Sequence, residues 1–402
     1  MSSGVIEPFT VRRNASEAAR EASRRLLVVS HPAVVTVNQE VYLELARRGW
    51  EVAIVVPSRW RHEYLSAAFA PAALDGLAGS LLRVPVALAG RPQRHFYLAR
   101  CGALCARVDP DVAFVEAEPF SLSAAQWRRA LTRAGVPFGV QCAENIDRAL
   151  PAPVRWSRTR VLRDAAFVAA RAPTAARLAQ AWGARGMVAV APHAVPPWQE
   201  PAAPGTRPAS SRAFRVGYAG RLVESKGLID LLEAVRMLDA PVELILIGDG
   251  ELRPQLEGQA VPGSSVQVLD DLDHQQMARG YAQLDVLVLP SRTTPTWKEQ
   301  FGRVIVEALW CDVPVVGSDS GEIPWLIGVT EGGLVFPEGD RDMLAQRLTE
   351  LREQPALRRH LAERGRAVVE RMFSVPAATD PLEEMLAAAA RGQRWAPPSR
   401  RS

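Results

Sequence analysis

Short apolar runs alternate with amphipathic stretches along most of the chain, the rhythm of buried strands linked by helices. The first two runs cover residues 26–29 and 52–56, and between them residues 38–48 place Val41, Leu45 and Ala46 on one helical face. Asn38 stands where a helix N-cap is expected and Gly49 where the glycine beyond a helix end belongs. Further strands are expected at 81–86, 111–115, 137–142, 166–169 and 187–191. A second series begins with a strand at 215–219 and a helix at 227–238, in which Leu228, Leu231, Leu232 and Val235 fall at i, i+3, i+4 and i+7. Strands at 242–247, 266–269, 286–289, 313–316 and 334–336 follow, then one long helical pattern from about 341 to 372. Runs that are apolar on both faces and separated by helices imply mainly parallel sheets covered on both sides.

Between 196 and 212 the chain reads PPWQEPAAPGTRPASSR, which has no apolar period and the composition of a linker. The expected class is α/β: two doubly wound Rossmann-like domains facing across a cleft, with ligand at the carboxyl ends of the strands. The segments are an N-terminal extension (1–24), an acceptor-side domain (25–195), the linker (196–213) and a second domain (214–375). The last segment (376–402) holds a helix returning to the first domain and an Arg/Pro-rich tail. A length of 402 residues fits two cores better than one.

Composition narrows the function classes. No run of about 18 uncharged apolar residues occurs, and the first residues contain acids and no apolar core of a secretory signal, so a cytoplasmic protein is expected. Cys101, Cys105, Cys142 and Cys311 show no paired zinc spacing, and Cys101 and Cys105 would share one helical face as core residues. The net charge of +4 is mildly basic, without the basic and aromatic stripe of a nucleic-acid reader. Arg59-Trp60-Arg61, Trp127-Arg128-Arg129 and the arginines of 391–401 are either solvated surface or a peripheral contact with anionic lipid at the inner face of a membrane. Of 48 basic residues only Lys226 and Lys298 are lysines, and a compact ammonium in a chain that otherwise uses arginine points to a geometric reason.

Both lysines lie beside candidate chemistry. The stretch 296–317, TWKEQFGRVIVEALWCDVPVVG, joins a loop, an amphipathic helix and a strand. If Phe301 begins the helix, the step from Glu299 to Glu307 covers about 12 Å along its axis, enough for two carboxylates to address the ends of one elongated polar ligand. Taken alone, the pair reads more readily as two solvated helix glutamates. The turn 217–227, GYAGRLVESKG, offers Gly220 for close backbone approach, with Arg221 and Lys226 on either side of a helix start. Two cations and a helix dipole suit a diphosphate; each cation alone reads as solvated surface. The turn is neither a Walker loop nor a G-x-G-x-x-G dinucleotide turn, and the turn after the first strand, 30–34, has no glycine.

Four segments in order resemble the retaining family 4 glycosyltransferases of the GT-B fold: Gly217 to Arg221 with Lys226-Gly227, Ile247-Gly248-Asp249-Gly250, Asp285 to Pro290-Ser291, and Glu299 to Glu307 with Phe301-Gly302 between. The resemblance covers about 214–340; the first domain shares mainly the β-α rhythm. It implies that Arg221 and Lys226, with Gly220, hold the donor diphosphate, that Glu307 binds the ribose and that Glu299 contacts the transferred sugar. Phe301, Gly302 and Arg303 join the donor-binding set. It further implies no metal and no cofactor beyond a nucleotide-sugar co-substrate, front-face attack in which the donor phosphate takes the acceptor proton, and no protein nucleophile. A glycan, lipid-linked or small-molecule acceptor would meet the first domain, where His31, Asn38, Glu118, Glu144 and Asn145 are the candidates. Asp271-Leu272-Asp273 reads as solvated turn acids rather than a metal pair.

Three departures stand out. The loop 292–298 is longer than the family's link, Ser320 to Trp325 places Glu322 and Trp325 where the family has a glycine and an acid, and the first domain lacks a glycine-rich turn. A phosphorylase would need a cofactor lysine, for which neither lysine has the context. The alternative from another class is an inactive GT-B relative or hinge protein that binds nucleotide or a partner without catalysis.

Overall fold

The computed structural model describes residues 24–61, 68–195, 198, 213–259, 264–269 and 274–392. Seven parallel strands form the first sheet: β1 (Arg24–Ser30), β2 (Trp50–Pro57), β3 (Leu81–Val84), β4 (Val112–Glu116), β5 (Phe138–Cys142), β6 (Phe167–Ala170) and β7 (Met187–Val190), in the order β7-β6-β5-β4-β1-β2-β3. Helices α1 (Glu40–Arg47), α2 (Cys101–Val108), α3 (Leu122–Ala134), α4 (Ala152–Asp164) and α5 (Pro173–Ala181) return the chain between strands. Successive residues of the central strands feed opposite cores, as the two-residue period of a strand requires. Leu27, Val29, Ala113 and Val115 pack into one hydrophobic cluster, while Leu26, Val28, Val112 and Phe114 pack into the other.

The second sheet has six parallel strands: β8 (Phe214–Ala219), β9 (Val242–Ile247), β10 (Ser265–Leu269), β11 (Val286–Leu289), β12 (Val315–Ser318) and β13 (Gly333–Phe336), ordered β10-β9-β8-β11-β12-β13. Besides a single turn at Arg253–Leu256, its helices are α6 (Leu228–Arg236), α7 (His274–Tyr281), α8 (Arg303–Trp310), α9 (Ile323–Thr330), α10 (Arg341–Glu353) and α11 (Pro355–Phe373). Leu228, Leu231, Leu232 and Val235 are all buried. Helix α12 (Val375–Ala390) then crosses back, placing Leu382, Met385 and Leu386 in the first-domain cluster with Ile54 and Phe167. Full burial of each such side chain stabilises by about 2 kcal/mol. Arg48, at the end of α1, bonds Asp380 and Glu383 of α12 at 2.7 Å each.

Several local expectations are corrected. Asn38 is no N-cap: it lies in a 3₁₀ turn (Thr36–Gln39), and its Nδ2 donates to the Pro32 carbonyl at 2.9 Å. Strand β3 stops at Val84, because Pro85 has no N–H for a ladder, and Val86–Ala87 pairs with Phe96–Tyr97 as a small antiparallel hairpin. The long C-terminal helical pattern breaks at Pro355, whose missing N–H and ring do not fit a helix interior, with Gln354 at φ −116°. Strand β12 begins at Val315 rather than 313, after Asp312 turns through φ 58°. Trp60 and Trp127 are buried, so neither aromatic flanked by arginines reaches a surface. Cys101, Cys105, Cys142 and Cys311 are free and buried. Most of the expected linker, the turn 271–273 and the tail beyond 392 lie outside the described residues. Among the described residues no helix is long and apolar enough to cross a membrane.

Candidate functional site

Each sheet reverses its strand order beside its first strand, between β1 and β4 and between β8 and β11, and a crevice opens outside the carboxyl ends at such a point. The sequence candidates sit at those ends. His31 follows β1, Glu118 follows β4, and Glu144 and Asn145 follow β5; Gly220 to Lys226 follows β8, and Ser291 to Gly302 follows β11.

Gly220 has φ 141°, and the turn it opens is tied to the end of β9: its N–H reaches Ile247 O at 2.9 Å and the Leu222 N–H reaches Asp249 O at 2.9 Å. Tyr218 Oη donates to Arg221 O at 2.7 Å. Burial drives the Tyr218 phenol far above its ordinary value; Glu299 adds to that and Arg221 opposes it, so both charges act on the same buried hydroxyl. A 3₁₀ turn (Glu224–Lys226) then aims the Lys226 ammonium at the acid loop. Lys226 Nζ lies 2.6 Å from Glu299 Oε2 and 4.6 Å from the Trp297 ring centroid, a site that a planar guanidinium fork would not fill in the same way.

Glu299 lies in a loop and not on a helix. Helix α8 starts at Arg303 and its N-cap Gly302 takes φ 79°, so Phe301 does not begin the helix and the expected axial separation of the two glutamates does not apply. The loop is fixed from several sides. Ser291 Oγ donates to Glu299 Oε2 at 2.9 Å, while the Glu299 carbonyl accepts from Glu322 N–H at 3.0 Å and from Asn145 Nδ2 at 2.7 Å. Gly321 permits this closeness: at φ 59°, a Cβ there would stand 2.0 Å from Glu299 O. The long link 292–298 is equally ordered, with Arg292 bidentate to buried Asp230 and Thr293 N–H bonded to Glu338 at 2.7 Å.

Glu307 faces inward from α8, and Tyr281 Oη donates to its Oε2 at 2.8 Å. Burial raises its pKa, countered by the Arg303 charge and the Tyr281 hydrogen bond. Phe301 packs among His193, Trp325 and Phe373. Arg303 reaches across to the first domain, 3.2 Å from Asn38 Oδ1 and 3.3 Å from His193 Nδ1. The substituted Glu322 also faces the first domain: burial raises its pKa, and Thr174 and Arg177 oppose the shift.

The acceptor-side candidates are drier. Glu118 Oε1 accepts from Ala143 N–H at 2.8 Å, its Oε2 is buried without a hydrogen-bond partner, and desolvation with Glu144 nearby pushes its pKa up to about 7. Glu144 instead accepts from the Asn145 and Ile146 N–H groups and from Arg148. His31 packs against Trp60 and His95, and burial pushes its imidazole down to about 3. The structure thus joins Arg221, Lys226, Glu299 and Asn145 around one crevice, and sets His31 apart in an aromatic cluster. Tyr281 and His193 were missed from the sequence; each meets its partner only through tertiary packing, and no local pattern marks either.

Residues 206–368 match the family model described as Glycosyl transferases group 1. Among curated relatives, the lipopolysaccharide core biosynthesis glycosyltransferase LpsE of Rhizobium meliloti is 34% identical over 42% of this chain and 48% of its own length. A GDP-mannose-dependent monoacylated phosphatidylinositol monomannoside mannosyltransferase of Corynebacterium glutamicum is 33% identical over 38% of this chain and 42% of its own. The chain thus spans about half the length of the curated relatives it matches. Among solved structures, the sucrose-phosphate synthase of Thermosynechococcus elongatus superposes on 92% of this chain and 100% of its own with TM-score 0.68 at 18% identity, a likeness of fold.

Proposed function

We propose that the chain transfers a sugar from a nucleotide-sugar donor with retention of configuration, a reading supported by the match of residues 206–368 to the group 1 glycosyltransferase family model and by the GT-B arrangement of the two Rossmann-like domains. The observation that carries this reading is the contact of Lys226 with Glu299 at 2.6 Å in the crevice at the β8–β11 switch point. It puts a diphosphate cation and a hydroxyl acceptor within one sugar-phosphate length. Arg221, Lys226, the Gly220 turn and the uncapped start of α8 would neutralise the charge that grows on the leaving phosphate as the C1–O bond breaks. Donor binding would exchange the Lys226–Glu299 contact for Lys226–phosphate and Glu299–sugar contacts. Glu307 accepts from ribose hydroxyls, and the donor phosphate takes the acceptor proton. No protein nucleophile and no metal is assigned a role. The relatives named for lipopolysaccharide and phosphatidylinositol mannoside assembly support a glycan or lipid-linked acceptor from cell-surface biosynthesis.

The test is a calorimetric screen of uridine, guanosine and adenosine diphosphates and their sugars, followed by two variants. Glu307→Gln is expected to weaken the free nucleoside diphosphate about tenfold, because ribose is common to donor and product. Glu299→Gln should leave that affinity near wild type and lower donor turnover about a hundredfold, since its partner exists only with the sugar attached. Equal loss of nucleotide affinity in both variants, or full turnover in Glu299→Gln, would overturn the assignment.

A further inference from the structure

Among the described residues, six large hydrophobic side chains are exposed, and five of them, Leu88, Phe96, Leu98, Leu122 and Trp156, ranging from 37% for Phe96 to 59% for Leu98, belong to the first domain. Their places in the fold are not scattered. Parallel strands oblige the helices between them to run back from the carboxyl end, so the starts of α2, α3 and α4 all lie at the cleft end of the sheet. Leu98 precedes the first turn of α2, Leu122 is the first residue of α3, and Trp156 lies in the opening turns of α4. Helix α3 packs against both α2 and α4, which makes the three starts neighbours. Phe96 and Leu88 stand beside them on the hairpin Val86–Ala87/Phe96–Tyr97, and the Leu122 N–H bonds Gln93 O in that hairpin at 3.1 Å.

The charge around this rim has one sign. From Gly76 to Val108 there is no Asp or Glu, while Arg83, Arg91, Arg94 and Arg100 are all exposed. On α4, Arg155 is exposed and the Arg160 guanidinium lies 4.2 Å from the Trp156 ring centroid. The nearby acids are engaged: Asp147 accepts from Trp182 Nε1 and Asp164 from Arg128. Isolated exposed apolar residues need no explanation, but a contiguous rim of them among cations does. Leu88 sharpens the point, because its backbone takes φ 57°, a region that disfavours side chains of its type, while its side chain stays about half exposed.

We propose that this rim is a docking surface for an anionic phospholipid bilayer, with Phe96, Leu98, Leu88, Leu122 and Trp156 entering the headgroup region and the arginines resting on lipid phosphates. Apolar wedges and interfacial cations are the two components of reversible peripheral binding, and neither alone gives a stable attachment. An aqueous polysaccharide would leave the apolar wedges unused. The bilayer would stand at the cleft end of the first domain, where a lipid-borne acceptor reaches the crevice without leaving its membrane. The surface itself does not depend on the transferase reading, since lipid binding and sugar transfer are measured separately.

Full-length protein is sedimented with vesicles of phosphatidylcholine alone and of phosphatidylcholine mixed with phosphatidylglycerol, at low and high salt. Binding is expected on the anionic vesicles and is expected to fall as salt rises. Arg91→Gln with Arg94→Gln should weaken it about 30-fold, and Phe96→Ser with Leu98→Ser about tenfold or more. Leu88→Asn, a residue type suited to its backbone, keeps the test open should the double serine variant misfold, as its thermal melt would reveal. Equal binding to neutral vesicles, no binding to anionic ones, or variants that bind as wild type overturn the proposal. So does a wild-type dimer that the serine variant converts to monomer, which would assign the rim to a second copy of the chain.

Discussion

The two lips of the cleft are built from similar strand ends and differ in how far their polar groups are paired. On the second-domain lip, charge meets charge: Lys226 with Glu299, and Arg292 and Arg341 with Asp230, with Glu322 Oε1 left unpartnered. On the first-domain lip Glu116 pairs with Arg171 and Glu144 with Arg148, but more buried polar atoms are left without hydrogen-bond partners, among them Glu118 Oε2, Asn145 Oδ1, His31 Nδ1 and His95 Nε2. Desolvation there holds Glu118 up to about 7 and His31 down to about 3, so both favour their neutral forms. On the proposed reading, the more fully paired lip is preorganised for a ligand of fixed charge, and the less paired lip keeps hydrogen-bonding capacity for a neutral, hydroxyl-bearing acceptor.

Proton concentration is the strongest way to break this contrast. Glu118, folded, titrates near 7, above an ordinary carboxyl, so between about pH 4.5 and 7 the folded chain holds a proton that the unfolded chain has released. Its contribution is therefore fully present at acid pH and lost as pH rises through that window, by up to about 3 kcal/mol. Glu144 and the buried thiol of Cys142 are the titratable groups that act on it. Glu118→Gln, which mimics the neutral acid, should flatten the dependence; urea unfolding at acid and neutral pH compares the two, and an unchanged slope would refute the assignment. Lys226→Ala attacks the other lip. It leaves the mostly buried Glu299 carboxylate without its cation and should cost about 2 kcal/mol of stability at neutral pH, together with a clear loss of nucleoside diphosphate affinity. Retained affinity would show that the ammonium does not serve the phosphate. Asn145→Ala, at the seam of the two lips, has the smallest expected effect, about 1 kcal/mol for its bond to the Glu299 carbonyl. Its signature is lower turnover with unchanged nucleoside diphosphate affinity, and loss of both together would mark a general packing defect instead.

What was legible in the chain follows the same division. Strand positions and the two-domain architecture could be read because each strand is a dense apolar run whose neighbours are a helix away. That Lys226 and Glu299 would meet in one second-domain crevice could be read because its glycines, cations and acids come in short segments, each carrying several polar groups. The limits were conformational: Gly302 adopts a left-handed backbone that delays α8 until Arg303, and composition does not reveal which glycine does so. Tyr281 lies in a polar helix distant in sequence from Glu307, so their contact has no periodic signature. The first-domain lip rests almost wholly on such contacts. Glu116 gathers Ser30, Tyr42 and Arg171 from three separate elements, and the His31, Trp60 and His95 cluster does the same with rings. In the basic segments around Trp60 and Trp127 the tryptophan faces inward while Arg59, Arg61 and Arg129 face out, a split that composition does not reveal.

Helix α12 makes the first domain discontinuous in sequence. Leu382, Met385 and Leu386 fill a core otherwise made from residues 26–191, and the whole second domain is interposed between the two parts. During synthesis the first domain therefore emerges with an apolar groove along α1 and the adjoining sheet that stays open until α12, beyond the whole second domain, has left the ribosome. Vectorial domain-by-domain folding, available to chains whose domains are contiguous, is closed to this one at its N-terminal end. The second domain can finish first, and its completion delivers the closing helix to the first. A nascent chain arrested before α12 should consequently be bound by chaperones at its first domain and not at its second.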